Sequence, residues 1–407
     1  MTSPRGEFRS AWTVLLAATA GMSSGLALNA YINNIFGPYL LEAFNWSKAD
    51  FALNGAISII TVLWIPFVGR MADLFGVRKV AFFGIIAYPF SFVLLSQLTG
   101  DVRALYAIHF MQVILCASTT ATVYCRVVAE RFSQNRGLAL AICAAGPAVV
   151  GAIASPLLTH YIDANGWRAG FLAMAVFSAL LGVLALVLLP KKSPGHGAEL
   201  RKNSARKDYR AIFTSPAFRI IAVSSFLCSL THALATSQLK IVLADHGVSA
   251  IEGGYMVSVF AVGVVLGRLI GGVALDKWPT HIISAVGMGL PCIGSYVLAT
   301  DTTNLFMLGF AIILLGLSFG AEADILAYVT ARYFPMHIYS SVMGLLTTAV
   351  GLAIGLGSGL LSFTLAKTDS FTPFLLLGGT LVLIGGVNLL RLGSIESAIK
   401  QEANAAS

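Results

Sequence analysis

Val257-Ser-Val-Phe-Ala-Val-Gly-Val-Val-Leu-Gly-Arg268-Leu-Ile-Gly-Gly-Val-Ala-Leu-Asp276-Lys277 is apolar enough to lie in a lipid bilayer, yet it carries an arginine near its middle. Asp276 and Lys277 mark where the run meets water, and Arg268 lies eight residues before Asp276, about 12 Å inward at the helical rise. Hydrocarbon is roughly 30 Å thick, so Arg268 falls near mid-depth. An arginine there costs a few kcal/mol and cannot shed its charge. It is expected to face a water-filled cavity or an anionic partner; the plainer readings are a snorkelling side chain or a structural ion pair. Gly263, Gly267 and Gly271 recur every four residues on the same helix, a small-residue stripe that admits another helix at close range.

The composition agrees with a membrane setting. Of the 407 residues 57% are hydrophobic and 11% charged, against about 25% charged in soluble domains. Cys116, Cys125, Cys143, Cys228 and Cys292 all fall in apolar runs without metal-ligand spacing, and read as small buried hydrophobes. No zinc-type histidine pair, phosphate-binding glycine loop or hydrolase elbow is present, so neither a cofactor nor a metal nor an enzymatic role is expected.

Apolar runs and their breaks divide the chain into twelve predicted spans: 11–41, 50–69, 78–98, 104–130, 137–160, 167–189, 217–240, 252–275, 280–299, 304–331, 341–366 and 371–392. The expected fold class is an all-α membrane protein with twelve transmembrane helices in two six-helix, pseudo-symmetric lobes. One lobe covers 1–189 and the other 217–392, joined by a basic cytoplasmic linker at 190–216 and followed by a cytoplasmic tail at 393–407. With the N-terminus inside, nineteen Lys/Arg lie on the inner side, five lie outside (Lys48, Arg103, Arg168, Lys240 and Lys367), and Arg126 and Arg268 lie in the membrane. That bias places both termini in the cytoplasm. The net charge of +8 is therefore a topology signal and does not call for nucleic acid. The halves also repeat: Gly69-Arg-Met-Ala-Asp73 recurs as Gly272-Val-Ala-Leu-Asp276, and Ala129-Glu-Arg-Phe132 as Ala331-Arg-Tyr-Phe334. Two six-helix repeats of parallel orientation point to a carrier with its site between the lobes.

Gly69-Arg-Met-Ala-Asp73-Leu-Phe-Gly76-Val-Arg78-Lys79 resembles the signature loop between helices two and three of the major facilitator superfamily. Gly69, Asp73, Gly76 and Arg78 would then form a latch on the cytoplasmic side. Phe44-Asn-Trp46-Ser47-Lys48, Arg136-Gly137-Leu-Ala-Leu-Ala and Gly166-Trp167-Arg168 resemble the monocarboxylate-porter and oxalate/formate-antiporter-like branch. Arg268 matches the helix-eight arginine that engages the substrate carboxylate there, while Val264 stands where animal monocarboxylate porters carry an aspartate.

Further polar residues stand inside the spans. Arg126 has Glu130 four residues on, the spacing of a helical ion pair; it either pairs there or faces the cavity. Glu322 and Asp324 are two apart and so point to different helix faces; together with His232 they are the proton-coupling candidates. Asn29, Tyr31 and Asn33, beside Arg268 and Arg126, are the substrate-binding candidates, although such amides also serve as helix-to-helix contacts. The resulting expectation is a proton-coupled transporter of a small organic acid, a monocarboxylate, in the cell (inner) membrane, working by alternating access as a monomer. The partners implied are the acid, protons and the lipid bilayer. The rival readings are proton-driven drug efflux and a membrane sensor that binds without transporting.

Overall fold

A computed structural model describes residues 4–132, 136–190, 205–335 and 338–395, and among these there are helices and no strands. In chain order the helices are α1 (Pro4–Ser23), α2 (Asn29–Phe44), α3 (Lys48–Leu53), α4 (Ser58–Phe75), α5 (Val77–Ser96), α6 (Val102–Cys116), α7 (Ala121–Arg131), α8 (Arg136–Asn165) and α9 (Trp167–Leu188). They continue as α10 (Ala205–Thr214), α11 (Pro216–Ser229), α12 (Leu239–Asp245), α13 (Ala250–Lys277), α14 (Thr280–Gly289), α15 (Pro291–Leu298), α16 (Leu305–Tyr333), α17 (Tyr339–Thr368) and α18 (Thr372–Leu389). In hydrocarbon a helix satisfies its own backbone, which is why the apolar runs take this form. The turns are set by caps: Ser47, Asp101, Ser249 and Asn304 each accept a backbone N–H at a helix start. Gly166, at φ 84°, makes the sharp turn between α8 and α9 that a side chain would strain.

Among the described residues ten helical stretches are long and apolar enough to cross a membrane, and a bent pair makes an eleventh. The expected second span is carried by α3, a short 3₁₀ turn and α4, and is not among them. Several spans predicted as continuous are broken. The first bends by 55° between Ser23 and Leu26, where the freed Leu26 N–H donates to Thr119 Oγ1 at 2.9 Å. The fourth is interrupted by a 3₁₀ turn at Ala117–Thr119, the seventh by a π-helical turn at Leu234–Gln238, and the ninth at Pro291. The seventh also runs on to Asp245, so Lys240 is a buried residue of that span (3% exposed) and not the outside residue the sequence led us to expect. Within the expected linker, Ala205–Thr214 is helical, while 191–204 and the tail beyond 395 lie outside the described residues.

We call the face holding Pro4 and the turn at Gly76 the near face. The face holding the turns at Asn45, Gly166, Gly247 and Asp369 is the far face. One apolar core lies within the first half, around Tyr124 and Phe132, and another within the second, around Phe218 and Val329. A third spans both halves, from Phe36 and Phe92 to Phe260 and Phe374. Towards the far face the halves are also stitched by hydrogen bonds. Asn34 donates to Ala235 O at 2.8 Å and accepts from Leu239 N at 2.8 Å. Ser155 donates to Gly254 O, Ser258 to Ala152 O, and Lys48 pairs with Asp245 at 2.6 Å. The molecule is closed at its far face.

Candidate functional site

The glycine stripe places the central arginine. A Cβ on Gly263 would stand 2.8 Å from Ile313 O, and one on Gly267 would collide with the Leu317 backbone. Reciprocally, Gly316 and Gly320 of α16 lie on the Phe260 and Val264 carbonyls of α13. Two backbones at this range lock their register, and Arg268, next to Gly267, comes against Asp324. Its Nη1 lies 3.5 Å from Asp324 Oδ1; the arginine side chain is 18% exposed and the aspartate side chain 41%. The Arg268 Nε is buried without a hydrogen-bond partner among the described residues. Its charge reaches Tyr31 on α2 and Cys125 on α7, so it faces across to the first half.

The second span-ten acid has different company, as the two-residue spacing requires. Glu322 accepts a hydrogen bond from Ser229 Oγ at 2.5 Å and lies 3.2 Å from His232 Nε2, all three being buried. The His232 ring packs on Phe319, Phe319 on Phe260, and Phe260 on Tyr31. A line of rings therefore joins the Glu322–His232 cluster to the first half.

Asn29 and Asn33 of the first span are engaged within their own half. Asn29 Oδ1 accepts from Tyr88 OH at 2.6 Å, and Asn29 Nδ2 donates to Gln112 Oε1 at 3.0 Å. Asn33 Oδ1 meets His109 Nε2 at 3.3 Å. Both asparagines line a cavity of about 260 Å³ bordered also by Ser58, Thr236 and Ser358. A larger one, about 640 Å³, opens beside the turn at Gly76, where Phe82 and Phe83 point outwards. Its place on the outer flank of α5 makes it a lipid-facing crevice.

Arg126 on α7 is half-buried and engaged, but the Glu130 side chain lies outside the described residues, and with it the expected pair. The Asp73 side chain does too. Of the other loop residues, Gly76 takes φ 87° between α4 and α5, Gly69 lies within α4, and Arg78 Nη1 donates to Leu189 O at 3.3 Å. Sequence reasoning missed His109, the contact of Asn34 across the halves and the burial of Lys240; the available signal was a polar residue inside an apolar span.

A model of the Major Facilitator Superfamily matches residues 14–358 and 221–405. The chain belongs to the Major Facilitator Superfamily. It is 26% identical over 390 residues to Monocarboxylate transporter 11 of Homo sapiens, covering 92% of this chain and 81% of that one. To the uncharacterized MFS-type transporter YcxA of Bacillus subtilis (strain 168) it is 25% identical over 360 residues, covering 84% and 85%. Its fold is similar to a crystal structure of the nucleoside transporter NupG, with a TM-score of 0.72 at 14% identity, covering 95% of this chain and 99% of that one. The superfamily consists of membrane carriers of small molecules. The chain is accordingly a multi-pass transporter and not an enzyme.

Proposed function

We propose that this transporter moves a small organic anion, a monocarboxylate, together with protons, by alternating access. One observation carries the reading: Arg268 is held beside Asp324, with its Nε buried and without a partner among the described residues. A buried donor without a partner is costly, and a planar guanidinium fork fits a carboxylate with two parallel hydrogen bonds. An arriving carboxylate takes Asp324's place on the arginine. Asp324, released, binds a proton, so anion and proton load together. Tyr31 forms the wall opposite Arg268, Asn29 and Asn33 the adjoining amide wall, and Arg126 adds a second positive charge on the first-half side. The Glu322–His232–Ser229 cluster is the alternative proton station.

In this reading residues 1–189 and 217–392 rock as two units about the linker 190–216, with the tail at 393–407. The protein sits in the cell (inner) membrane with both termini and the near face in the cytoplasm, an orientation that the Lys/Arg bias supports. Gly69, Asp73, Gly76 and Arg78 latch that face when it closes. A monomer suffices, because the site lies within one chain.

The test is proton flux beside acid flux in proteoliposomes. Asp324→Asn should still exchange the acid across the membrane but fail to concentrate it. If Glu322→Gln shows that behaviour instead, the coupling site is the His232 cluster. Accumulation with an unchanged proton ratio in both variants refutes the coupling. Arg268→Lys keeps the charge but loses the fork, and should weaken apparent affinity by about tenfold or more; wild-type affinity in Arg268→Ala refutes the carboxylate contact.

A further inference from the structure

Lys240 is a buried cation that the mechanism above does not use. It lies five residues before the far end of α12, about 8 Å from that end, whereas Arg268 lies eighteen residues into α13 from the same face, about 27 Å. The two are distinct levels of one path. Lys240 is 3% exposed, and its stem runs along Gly253, where a Cβ would stand 3.3 Å from Lys240 Cε. Its ammonium donates to Thr159 Oγ1 at 3.2 Å and lies 5.3 Å from the centre of the Tyr39 ring. An ammonium has three donors, and among the described residues this is its one hydrogen bond, with no carboxylate at ion-pair distance. The acid whose charge reaches it is Asp163, one helical turn beyond Thr159, itself bound by Tyr39 OH at 2.7 Å.

A buried, thinly partnered lysine is a poor way to seal two apolar surfaces. Its placement suits another task. Lys240 belongs to the second half, while Thr159, Tyr39 and Asp163 belong to the first. Separation of the halves at the far face takes those three away and leaves the ammonium in a water-filled mouth.

We propose that Lys240 is an entry site for organic carboxylates at the far face, exposed when that face opens and dismantled when it closes. In the open mouth its charge gathers anions from solution. Closure returns Thr159, Tyr39 and Asp163 to it, removes the water and displaces the anion inwards towards Arg268. The inference rests on the carboxylate reading above and adds a second, direction-specific contact to it.

The experiment uses the full chain in proteoliposomes of one orientation, with labelled lactate, gluconate and benzoate as probes supplied at either face. Lys240→Gln can still donate to Thr159, so the closed seam keeps its hydrogen bond. For the acid that wild type carries, we expect KM at the far face to rise about tenfold or more in Lys240→Gln with KM at the near face unchanged, kcat for transport from the near face falling by the same factor because kcat/KM must be equal in the two directions at zero gradient. Lys240→Arg should stay close to wild type. Far-face KM should rise with salt in wild type and much less in Lys240→Gln. An unchanged far-face KM in Lys240→Gln, or a shift at both faces together, overturns the entry site and makes Lys240 a seam contact. Absence of transport of all three acids by wild type overturns the carboxylate reading itself, and this inference with it.

Discussion

Replacing Asn34 by leucine should tip the carrier from far-closed to far-open. Asn34 is fully buried, and its amide spans the seam at the π-helical turn of the seventh span, giving a proton to Ala235 O and taking one from Leu239 N. Leucine has a similar volume and serves neither group. Two buried backbone groups are then orphaned in the far-closed state, at about 1–3 kcal/mol each. Separation of the halves lets water reach both, so the far-open state does not bear this cost. The differential is roughly 2–6 kcal/mol, and its lower end multiplies the far-open population about thirty-fold. Spin labels at Ala43 and Ala250, two exposed residues on opposite halves at the far face, would report it by double electron–electron resonance, with the native cysteines replaced. A long-distance population should appear or grow in Asn34→Leu. An unchanged distance distribution, or one shifted towards shorter distances, would refute the reasoning that this amide holds the seam.

Further predictions address packing and the polar walls. Gly267→Ala drives a methyl into the Leu317 backbone and should destabilise by about 1–3 kcal/mol; Gly272→Ala, with nothing within 4 Å, should be near neutral, both being measurable by thermal unfolding in detergent. Tyr88→Phe deprives Asn29 Oδ1 of its donor and should cost about 1–2 kcal/mol of stability, measurable by thermal unfolding in detergent. Lys48→Ala removes the partly exposed pair with Asp245 and should change stability by no more than about 1 kcal/mol.

What was legible in the sequence followed from local rules. The four-residue glycine spacing of α13 announced a close partner, and α16 supplies it with glycines of its own. Two acids two residues apart had to diverge, and Asp324 and Glu322 do. What was not legible depends on neighbours distant in the chain. Thr119 makes the break before Leu26 tolerable from ninety-three residues away, and nothing near Leu26 states this. His232 and Glu322 were read singly because their spans are separated by two others. In the sequence alone Lys240 looks like an outside residue, because a lysine near a span's end reads as a boundary; only the fold shows α2, α8 and α13 closing over it.

The backbone-to-backbone contact of α13 and α16 has an electrical consequence. Arg268 and Asp324 ride on two helices pressed together too closely to slide, so they travel as one body whichever face is open. Their charges cancel within that body. Moving one uncompensated elementary charge through the full membrane field involves about 2.3 kcal/mol per 100 mV, and this couple, as it swings, adds nothing to that term. The same holds when it is loaded with a carboxylate and a proton, since plus one and minus one arrive together. If one carboxylate and one proton load together, as proposed, this couple adds no voltage dependence of its own to the turnover, empty or full.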